Sequence, residues 1–286
     1  MAEQKREITA AEVQSAYQKG VQFKTNLKLY DNVKRNERFY LGDQWHGLQT
    51  RRIQPVTLNV LRRVVSTFQA MVVSDDITFQ ITPFLDTPDK DNVAKVVEQM
   101  VQNVIEKQKI KTKNRTVIRT GATTGDMCLF FSWDADVETG EMAKGDICAE
   151  VLLGTNVIFG DPYTNDVQKQ PYIILVRRRP VESVRRQARA DGIADWDRIQ
   201  GDSESHYIGD DNDESFELAT ELTYLYKTRE QVLDQYGIQT GVKAKVHFLR
   251  TVGEVITCPD TATEMTLYPL AWANWLERMN CMHGVS

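Results

Sequence analysis

The chain has 286 residues, of which 41% are hydrophobic, and its 35 basic and 40 acidic residues give a formal net charge of -5. This balance gives no global attraction to nucleic acid or to an anionic membrane, so such binding would need local patches. No apolar run approaches the length of a membrane span, and the charged N-terminus lacks the apolar core of a secretory signal. These features predict a soluble globular protein of the cytoplasm that does not bind membranes.

The cysteines and histidines do not indicate a metal or redox site. The four cysteines lie at positions 128, 148, 258 and 281, and neither they nor the four histidines follow a zinc-ligand spacing. Because cysteine behaves as a small hydrophobe, buried free thiols are preferred to disulfides or a metal centre.

A long helix is predicted near the N-terminus. Thr9 and Glu12 have the spacing of a capping box, in which the two side chains satisfy free backbone amides at a helix start. Apolar residues then recur at helical spacing to about Arg38, while Lys and Gln fill the other faces. This narrow apolar stripe predicts a mostly solvated helix on the outside of an assembly.

An aromatic corner follows at residues 39–45, with Phe39, Tyr40, Gly42, Gln44 and Trp45. Gly42 suits the left-handed backbone conformation that often ends a helix, and Trp45 can fold back on Phe39 or Tyr40. We interpret this corner as a structural node formed by core packing, without chemistry of its own.

A second helix is predicted from Thr57 as N-cap, just before Asn59. Its apolar positions follow one helical face, which predicts burial on one side: Val60, Leu61, Val64, Val65, Phe68, Met71 and Val72. Alternation at residues 77–81, ended by Pro83, predicts a short strand, and a third helix is predicted from Pro88 to Ile105.

From residue 127 the apolar period changes from that of helices to that of strands. A hairpin is predicted at residues 127–133 and 146–152, and a helix at 181–190. Further strands are predicted at 157–159, 172–178, 216–226, 242–249 and 254–257. With helices first and mainly antiparallel strands after them, the predicted class is α+β.

Acidic residues offer the only candidates for catalysis or metal binding. Asp134, Asp136 and Glu138 alternate as ligands of a hard cation can, but the glycine and glutamate spacing of an EF-hand is missing. A solvated hairpin edge is the preferred interpretation, with a metal-dependent nucleic-acid enzyme as the alternative. The acidic residues 201–215 predict a mobile exposed loop, or a site for a cation or a basic partner. We predict no catalytic, cofactor-binding or metal-binding residue.

Two basic clusters remain. The first, within residues 107–119, contains Lys107, Lys109, Lys111, Lys113, Arg115 and Arg119. The second, within residues 177–189, contains Arg177, Arg178, Arg179, Arg185, Arg186 and Arg189. Either could contact DNA phosphates, as in a DNA-binding adaptor. Solvated helix faces, or salt bridges to a neighbouring subunit, explain both clusters as well.

The order of several short segments resembles that of tailed-phage portal proteins. The segments are residues 39–45, the Thr57-Leu58-Asn59 head of the second helix, Asp161-Pro162 after an apolar strand, with Tyr172 to Arg178 continuing as a strand into a helix, and the closing stretch from Leu267 and Tyr268 to Gly284. No segment is an enzymatic fingerprint, and the likeness comes from their order.

The resemblance implies a structural protein and not an enzyme. Portal proteins form a homo-oligomeric ring, typically of twelve copies, at one capsid vertex, where double-stranded DNA enters during packaging and leaves at ejection. The implied partners are copies of the chain, capsid and scaffolding proteins, the terminase motor and a head-tail adaptor. The implied location is the virion, and the cytoplasm of the infected bacterium during assembly.

The chain stops at Ser286, before the stem helices of the family would begin, so the resemblance implies the wing portion. Residues 1–126 would be its helical part and residues 127–286 its β-rich part, together one structural domain. The terminase and adaptor contacts would then lie mostly outside this sequence. The second basic cluster is the expected interface within it.

Overall fold

The computed structural model describes residues 8–48, 55–74, 79–83, 88–135, 137–138, 144–203, 206, 217–233 and 239–286. In these ranges the protein is α+β, with helices first and mainly antiparallel strands after them, as the sequence predicted. The helices are α1 Ala10–Asn26, α2 Leu29–Leu41, α3 Val60–Ser74, α4 Pro88–Lys107, α5 Ile110–Thr124 and α6 Val181–Ala190. The strands are β1 Asp126–Asp134, β2 Asp146–Leu152, β3 Val157–Phe159, β4 Tyr172–Pro180, β5 Leu218–Leu233, β6 Gln239–Val252, β7 Val255–Ala262, β8 Leu270–Asn274, β9 Leu276–Arg278 and β10 Cys281–Val285.

The chain forms two compact units that alternate along the sequence. The first combines the residues up to Lys34 with Leu153–Pro269 and Leu276–Val285. The second combines Arg35–Leu152 with Leu270–Trp275 and Ser286. The change from helices to strands falls between α5 and β1, close to residue 126. The expectation of one structural domain stays a prediction.

The predicted capping box at the start of α1 is confirmed. Glu12 N–H donates to Thr9 Oγ1 at 3.3 Å, and Thr9 N–H donates to Glu12 Oε2 at 3.2 Å. The predicted continuous helix to Arg38 is wrong, because Lys28 adopts a φ of 55° between α1 and α2. On one straight helix the buried side chains of Val13 and Leu29 would point about 160° apart. The break at Lys28 allows both to be buried.

The first unit is built on a five-stranded antiparallel sheet in the order β3-β4-β5-β6-β7. The hydrophobic side of α1 packs on one face, where Val13 and Tyr17 meet Ile174 and Leu222. On the other face, α6 packs through Val184 and neighbouring residues against Ala219, Val252 and Val255. The side chains alternate between two apolar faces, as expected for a strand covered on both sides.

The second unit places α5 between the helices α3 and α4 and a three-stranded sheet in the order β2-β1-β8. The predicted hairpin of β1 and β2 is confirmed, with Cys128 opposite Leu152 and Asp134 opposite Asp146. Strand β8, which the sequence did not indicate, pairs with the other edge of β1.

The strand predicted at residues 77–81 is wrong over its described part. Residues 79–83 form no helix or strand, and residues 77–78 lie outside the described residues. The backbone N–H of Ile81 donates to Glu98 Oε2 of α4 at 3.1 Å, a side-chain bond in place of a strand ladder.

The prediction of buried free thiols is confirmed for two of the four cysteines. All four cysteines are free, with Cys128 and Cys281 buried and Cys148 and Cys258 half-buried. None of the described helices is long and apolar enough to cross a membrane.

Candidate interaction surfaces

The corner after α2 and the head of α3 lie together. Asn59 Nδ2 donates to the carbonyl oxygen of Tyr40 at 2.7 Å, and Gln44 Nε2 donates to the carbonyl oxygen of Leu58 at 3.4 Å. Gly42 has the predicted left-handed conformation, with a φ of 91°. A Cβ atom at Gly42 would lie 3.3 Å from Asn59 Nδ2, so the glycine also makes room for the amide.

Asn59, and not the predicted Thr57, is the N-cap of α3. Its Oδ1 accepts from Arg62 N–H at 3.0 Å, which satisfies one of the free amides of the first turn. The same side chain therefore caps one helix and holds the carbonyl end of another. This double role explains why the corner and the helix head stay together as a node.

The aromatic residues of the corner are not packed as a core. Phe39 is 38% exposed and Trp45 is 42% exposed. Tyr40 instead lies under the guanidinium of Arg119, 4.8 Å from its ring centre, and Arg119 pairs with Glu37 at 2.5 Å. The prediction that this corner packs as core is therefore wrong for Phe39 and Trp45, because their described surroundings leave them facing solvent.

The other two sequence segments behind the portal resemblance also meet. Asp161 N–H donates to Gln170 Oε1 at 2.9 Å, and Gln170 Nε2 donates back to the carbonyl oxygen of Asp161 at 2.9 Å. Tyr268 Oη donates to the carbonyl oxygen of Gln170 at 3.0 Å. Next to Asp161, the carbonyl oxygen of Pro162 accepts from Met282 N–H at 2.8 Å. The turn after β3 is thus held by the chain near its C-terminal end.

The apolar side of α3 is exposed, so its predicted burial is wrong. Only Val65, Gln69 and Val73 form a less exposed stripe, and Gln69 Nε2 donates to the carbonyl oxygen of Arg115 on α5 at 2.7 Å. Large apolar side chains outside that stripe are 43% to 69% exposed: Val60, Leu61, Val64, Phe68, Met71 and Val72. Helical periodicity locates an apolar face but does not say whether the same chain covers it.

Helix α4 has the same property. Val93, Val96, Val97, Met100 and Val101 are 39% to 62% exposed. Apart from the ring of Phe68, which lies 5.0 Å from the Trp275 ring, these two helices leave apolar faces exposed in the described part of the chain, and exposed apolar patches of this kind mark interaction sites.

The second basic cluster is mostly engaged within the chain. Arg178 pairs with Asp202 and donates to Thr220 Oγ1 at 2.9 Å. Arg179 Nη1 lies 3.0 Å from Glu221 Oε1. The guanidinium of Arg185 donates to the carbonyl oxygen of Ile199 at 2.8 and 2.5 Å.

The remaining arginines of this cluster differ in their surroundings. Arg189 lies over the ring of Trp196 at 5.4 Å, Arg177 on β4 is half-buried, and Arg186 on α6 is exposed. Arg178, Arg179 and Arg185 therefore stabilise the positions of β4 and α6 through contacts within the chain. Their role as an interface or in DNA contact stays a prediction.

The first basic cluster divides between α4 and α5. Lys107 Nζ lies 2.8 Å from Asp146 Oδ2, and Lys113 Nζ donates to Gln108 Oε1 at 3.1 Å. The hydrogen bond from Lys107, the largest cause, and the one from Ile147 N–H lower the pKa of Asp146 below its ordinary value. Lys107 thus forms a salt bridge within its own chain, and the salt bridges expected with a neighbouring subunit stay a prediction.

Of the candidate acidic residues of the hairpin, Asp134 and Glu138 are described. Glu138 pairs with Lys144 at 3.1 Å, and Asp136 lies outside the described residues. Among the described side chains, no group of three His, Cys, Asp or Glu is placed to hold a metal ion. Of residues 201–215, only Gly201, Asp202, Ser203 and His206 are described.

A cleft of about 1250 Å³, which the sequence did not indicate, lies between the first turns of α1 and the sheet of the first unit. A row of rings crosses its floor: Tyr172 and Tyr224 lie 5.1 Å apart, Tyr224 and Tyr226 lie 5.9 Å apart, and Tyr226 and His247 lie 5.1 Å apart. Burial raises the pKa of Tyr172 and, with a hydrogen bond to Asp260, that of Tyr226. In the sequence, only the alternation of Tyr224 and Tyr226 on β5 indicated this row of rings. The positions of Tyr172 and His247 beside them depend on the register between strands.

His247 has polar partners on both ring nitrogens. Its Nε2 lies 3.1 Å from Thr228 Oγ1, and its Nδ1 lies 3.2 Å from Asp260 Oδ1. The imidazole is almost completely buried. The network fixes the register of β5, β6 and β7 at the floor of the cleft.

No protein-family model and no curated protein matches the chain, so the portal resemblance rests on the sequence segments themselves.

Proposed function

We propose that this chain is a structural subunit of a phage portal ring at the capsid vertex. In this role it supports the packaging and ejection of double-stranded DNA and the joining of head and tail, while the terminase performs the catalysis. Its main partners are copies of itself, together with capsid and scaffolding proteins. Its location is the virion and, during assembly, the cytoplasm of the infected bacterium.

The exposed apolar faces of α3 and α4 carry this proposal. Soluble monomers rarely leave contiguous apolar patches of this kind uncovered, because burying apolar surface is favourable. Only a narrow stripe of each helix packs against the rest of the subunit. A neighbouring copy would cover the wider apolar face that is exposed.

The two pairs of contacting segments give secondary support. The corner meets the head of α3 through Asn59, and the Asp161 turn meets the C-terminal stretch through Tyr268. Segments that are far apart in sequence but bound to each other are expected to recur together in a family, because each depends on the other for packing. This explains a resemblance that lies in the order of segments and in no catalytic fingerprint.

The mass and shape of the full-length protein test this function. Light scattering after size exclusion should give a multiple of the 32.8 kDa chain near that of a ring, without added nucleotide or metal. Negative-stain images should show closed rings. Open filaments, or particles without a central opening, would count against a portal subunit.

A further inference from the structure

One strand edge of the five-stranded sheet is open, and it faces the cleft. Strand β4 pairs with β5 only as far as Tyr172 opposite Tyr226, whereas β6 pairs with β5 on its other side as far as Leu233. In the described chain, residues 227–231 of β5 therefore have no paired strand on the β4 side. This edge is about 17 Å long at the usual rise of a strand.

The direction of the backbone groups follows from the pairing. The Tyr172 carbonyl oxygen accepts from Gly160 N–H at 2.9 Å, so Tyr172 points its backbone groups away from β5. Residue pairs in an antiparallel ladder are alternately hydrogen-bonded and non-hydrogen-bonded, and Tyr172 and Tyr226 are a non-hydrogen-bonded pair. The backbone N–H and C=O of Tyr226 therefore point toward β6. The N–H and C=O groups of Lys227, Arg229 and Gln231 then point into the open edge.

The cleft borders this edge directly. It is lined by five consecutive residues of β5, from Tyr226 to Glu230. Side chains of a strand alternate between faces, so a cavity that touches consecutive residues meets the edge of the strand and not one face. Across the cleft stand Ile8, Ser15 and Ala16 at the start of α1.

The two ends of the sheet are closed by specific devices. At β3, Lys24 Nζ donates to the carbonyl oxygens of Gly154, Thr155 and Val157 at 2.9, 2.8 and 2.5 Å. At β7, Pro259 and two irregularities in register interrupt the edge. Prolines and bulges are the usual means by which proteins prevent edge pairing.

The outer edge of β6 beyond Val246 is protected in another way. It carries Lys243 and Lys245, and charged edge residues discourage pairing. On β5, the amine of Lys227 is drawn away from the edge, because it donates to Gln168 Oε1 at 2.8 Å and lies 4.3 Å from the Tyr268 ring centre. Between Lys227 and Gln231 the β5 edge has neither a proline nor an irregularity in register.

The chain also contains a segment with a strand pattern that belongs to no sheet. Phe79 and Ile81 alternate with the exposed Gln80 and Thr82, yet residues 79–83 form no strand. The α1 side of the open edge offers Tyr226, Ile8 and Ala16, which suit Phe79 and Ile81. The opposite side carries Arg229, which suits the polar residues of the segment.

We propose that residues 79–82 of a second copy of this chain add as a strand to the open edge of β5, between that strand and α1. The contact is heterologous, because donor and acceptor are different surfaces, and such contacts build a ring when the rotation between neighbouring copies closes and a filament when it does not. This proposal rests on the homo-oligomeric function above and names one contact within it.

The test uses a fluorescent synthetic peptide with the sequence of residues 77–83 and the full-length protein at a dilution that favours dissociated subunits. The peptide should bind, and Ser15→Trp, which fills the cleft from the exposed surface of α1, should weaken binding at least tenfold. Arg229→Pro, which removes one outward N–H without touching the β6 ladder, should do the same. Gln18→Trp, on an exposed position of α1 that does not line the cleft, is the matched control and should leave binding unchanged.

A peptide with Phe79→Asp and Ile81→Asp should not bind. Sedimentation of the undiluted variants separates the two proposals. Edge addition is wrong if the wild type is a large oligomer but no peptide binds to it. It is also wrong if Ser15→Trp and Arg229→Pro leave peptide binding unchanged. In both cases the proposed ring is unaffected. A monomeric wild type would instead overturn the ring and, with it, this contact.

Discussion

Asn59 holds Tyr40 across the corner between α2 and α3: its Nδ2 donates to the Tyr40 carbonyl oxygen at 2.7 Å, while its Oδ1 accepts from Arg62 N–H at 3.0 Å. One side chain thus satisfies groups at the end of one helix and the start of the next. The corner is a packing node whose stability can be measured position by position.

Replacing Asn59 should destabilise the protein by two separable amounts. Asn59→Ala removes both bonds and should lower the free energy of unfolding by about 1–3 kcal/mol. Asn59→Ser keeps an N-cap acceptor for Arg62 and loses the donor to Tyr40, so its effect should be smaller. Urea denaturation measures both. Thr57→Ala is the control, and a larger loss for it than for Asn59→Ala would contradict the assignment of the cap.

Gly42 should resist substitution more than Gly47 does. Both have positive φ values, 91° and 79°, but a Cβ at Gly42 would lie 3.3 Å from Asn59 Nδ2, whereas one at Gly47 meets nothing within 4 Å. Each alanine variant should lose about 1 kcal/mol from backbone strain. Gly42→Ala should lose more, because the Asn59 amide must move. An equal loss of stability for the two variants in thermal denaturation would show that the Asn59 amide can move without destabilising the protein.

Lys24 should be among the most sensitive positions of the first unit. Its side chain is 1% exposed and donates to three backbone carbonyl oxygens beside β3. Lys24→Met leaves those acceptors buried without their donor, which should cost at least about 3 kcal/mol. Lys19→Met, on an exposed part of α1, should change stability by less than about 0.5 kcal/mol. Similar denaturation midpoints for the two variants would refute this role.

The ion pair of Lys107 and Asp146 predicts a pH effect of definite sign. The folded-state pKa of Asp146 is lowered, so the pair contributes stability above the unfolded pKa of about 4, which is lost as pH falls through the folded pKa. Lys107→Met should raise the pKa of Asp146 in NMR titration. It should also make stability less dependent on pH in the acid range. An unchanged pKa would show that Ile147 N–H alone sets it.

The sequence was informative where a local interaction decides the structure. The capping box at Thr9, the left-handed Gly42 and the bounds of α6 follow from neighbouring residues, and the structure confirms them. Strands β3 to β7 also follow from alternation, although β5 and β6 run further toward each other than predicted. The extension of β5 beyond Tyr226 creates the open edge, because β4 begins at Tyr172 and has no residue opposite the rest of β5.

Other features depend on contacts that are distant in sequence. Nothing in the local pattern shows that Val13 and Leu29 require a break at Lys28, or that β8 joins β1. The exposed face of α3 is the clearest case, because Met71 has the spacing of a buried residue and is 69% exposed. Periodicity identifies an apolar face, whereas its cover can be another copy of the chain.

The exposed face of α3 gives the variant for the decisive test. Met71→Lys should leave the stability of the subunit within about 0.5 kcal/mol of wild type, because the side chain is exposed. It should nevertheless weaken assembly, since a charge would be buried between copies. Ser66→Lys adds the same charge at an exposed polar position of α3 and is the matched control.

Sedimentation velocity of the full-length protein, without nucleotide or metal, tests the central claim most directly. The account predicts that wild type and Ser66→Lys sediment as a large closed oligomer and that Met71→Lys shifts toward smaller species. A wild type that stays monomeric at all concentrations would contradict the claim that this chain is a ring subunit.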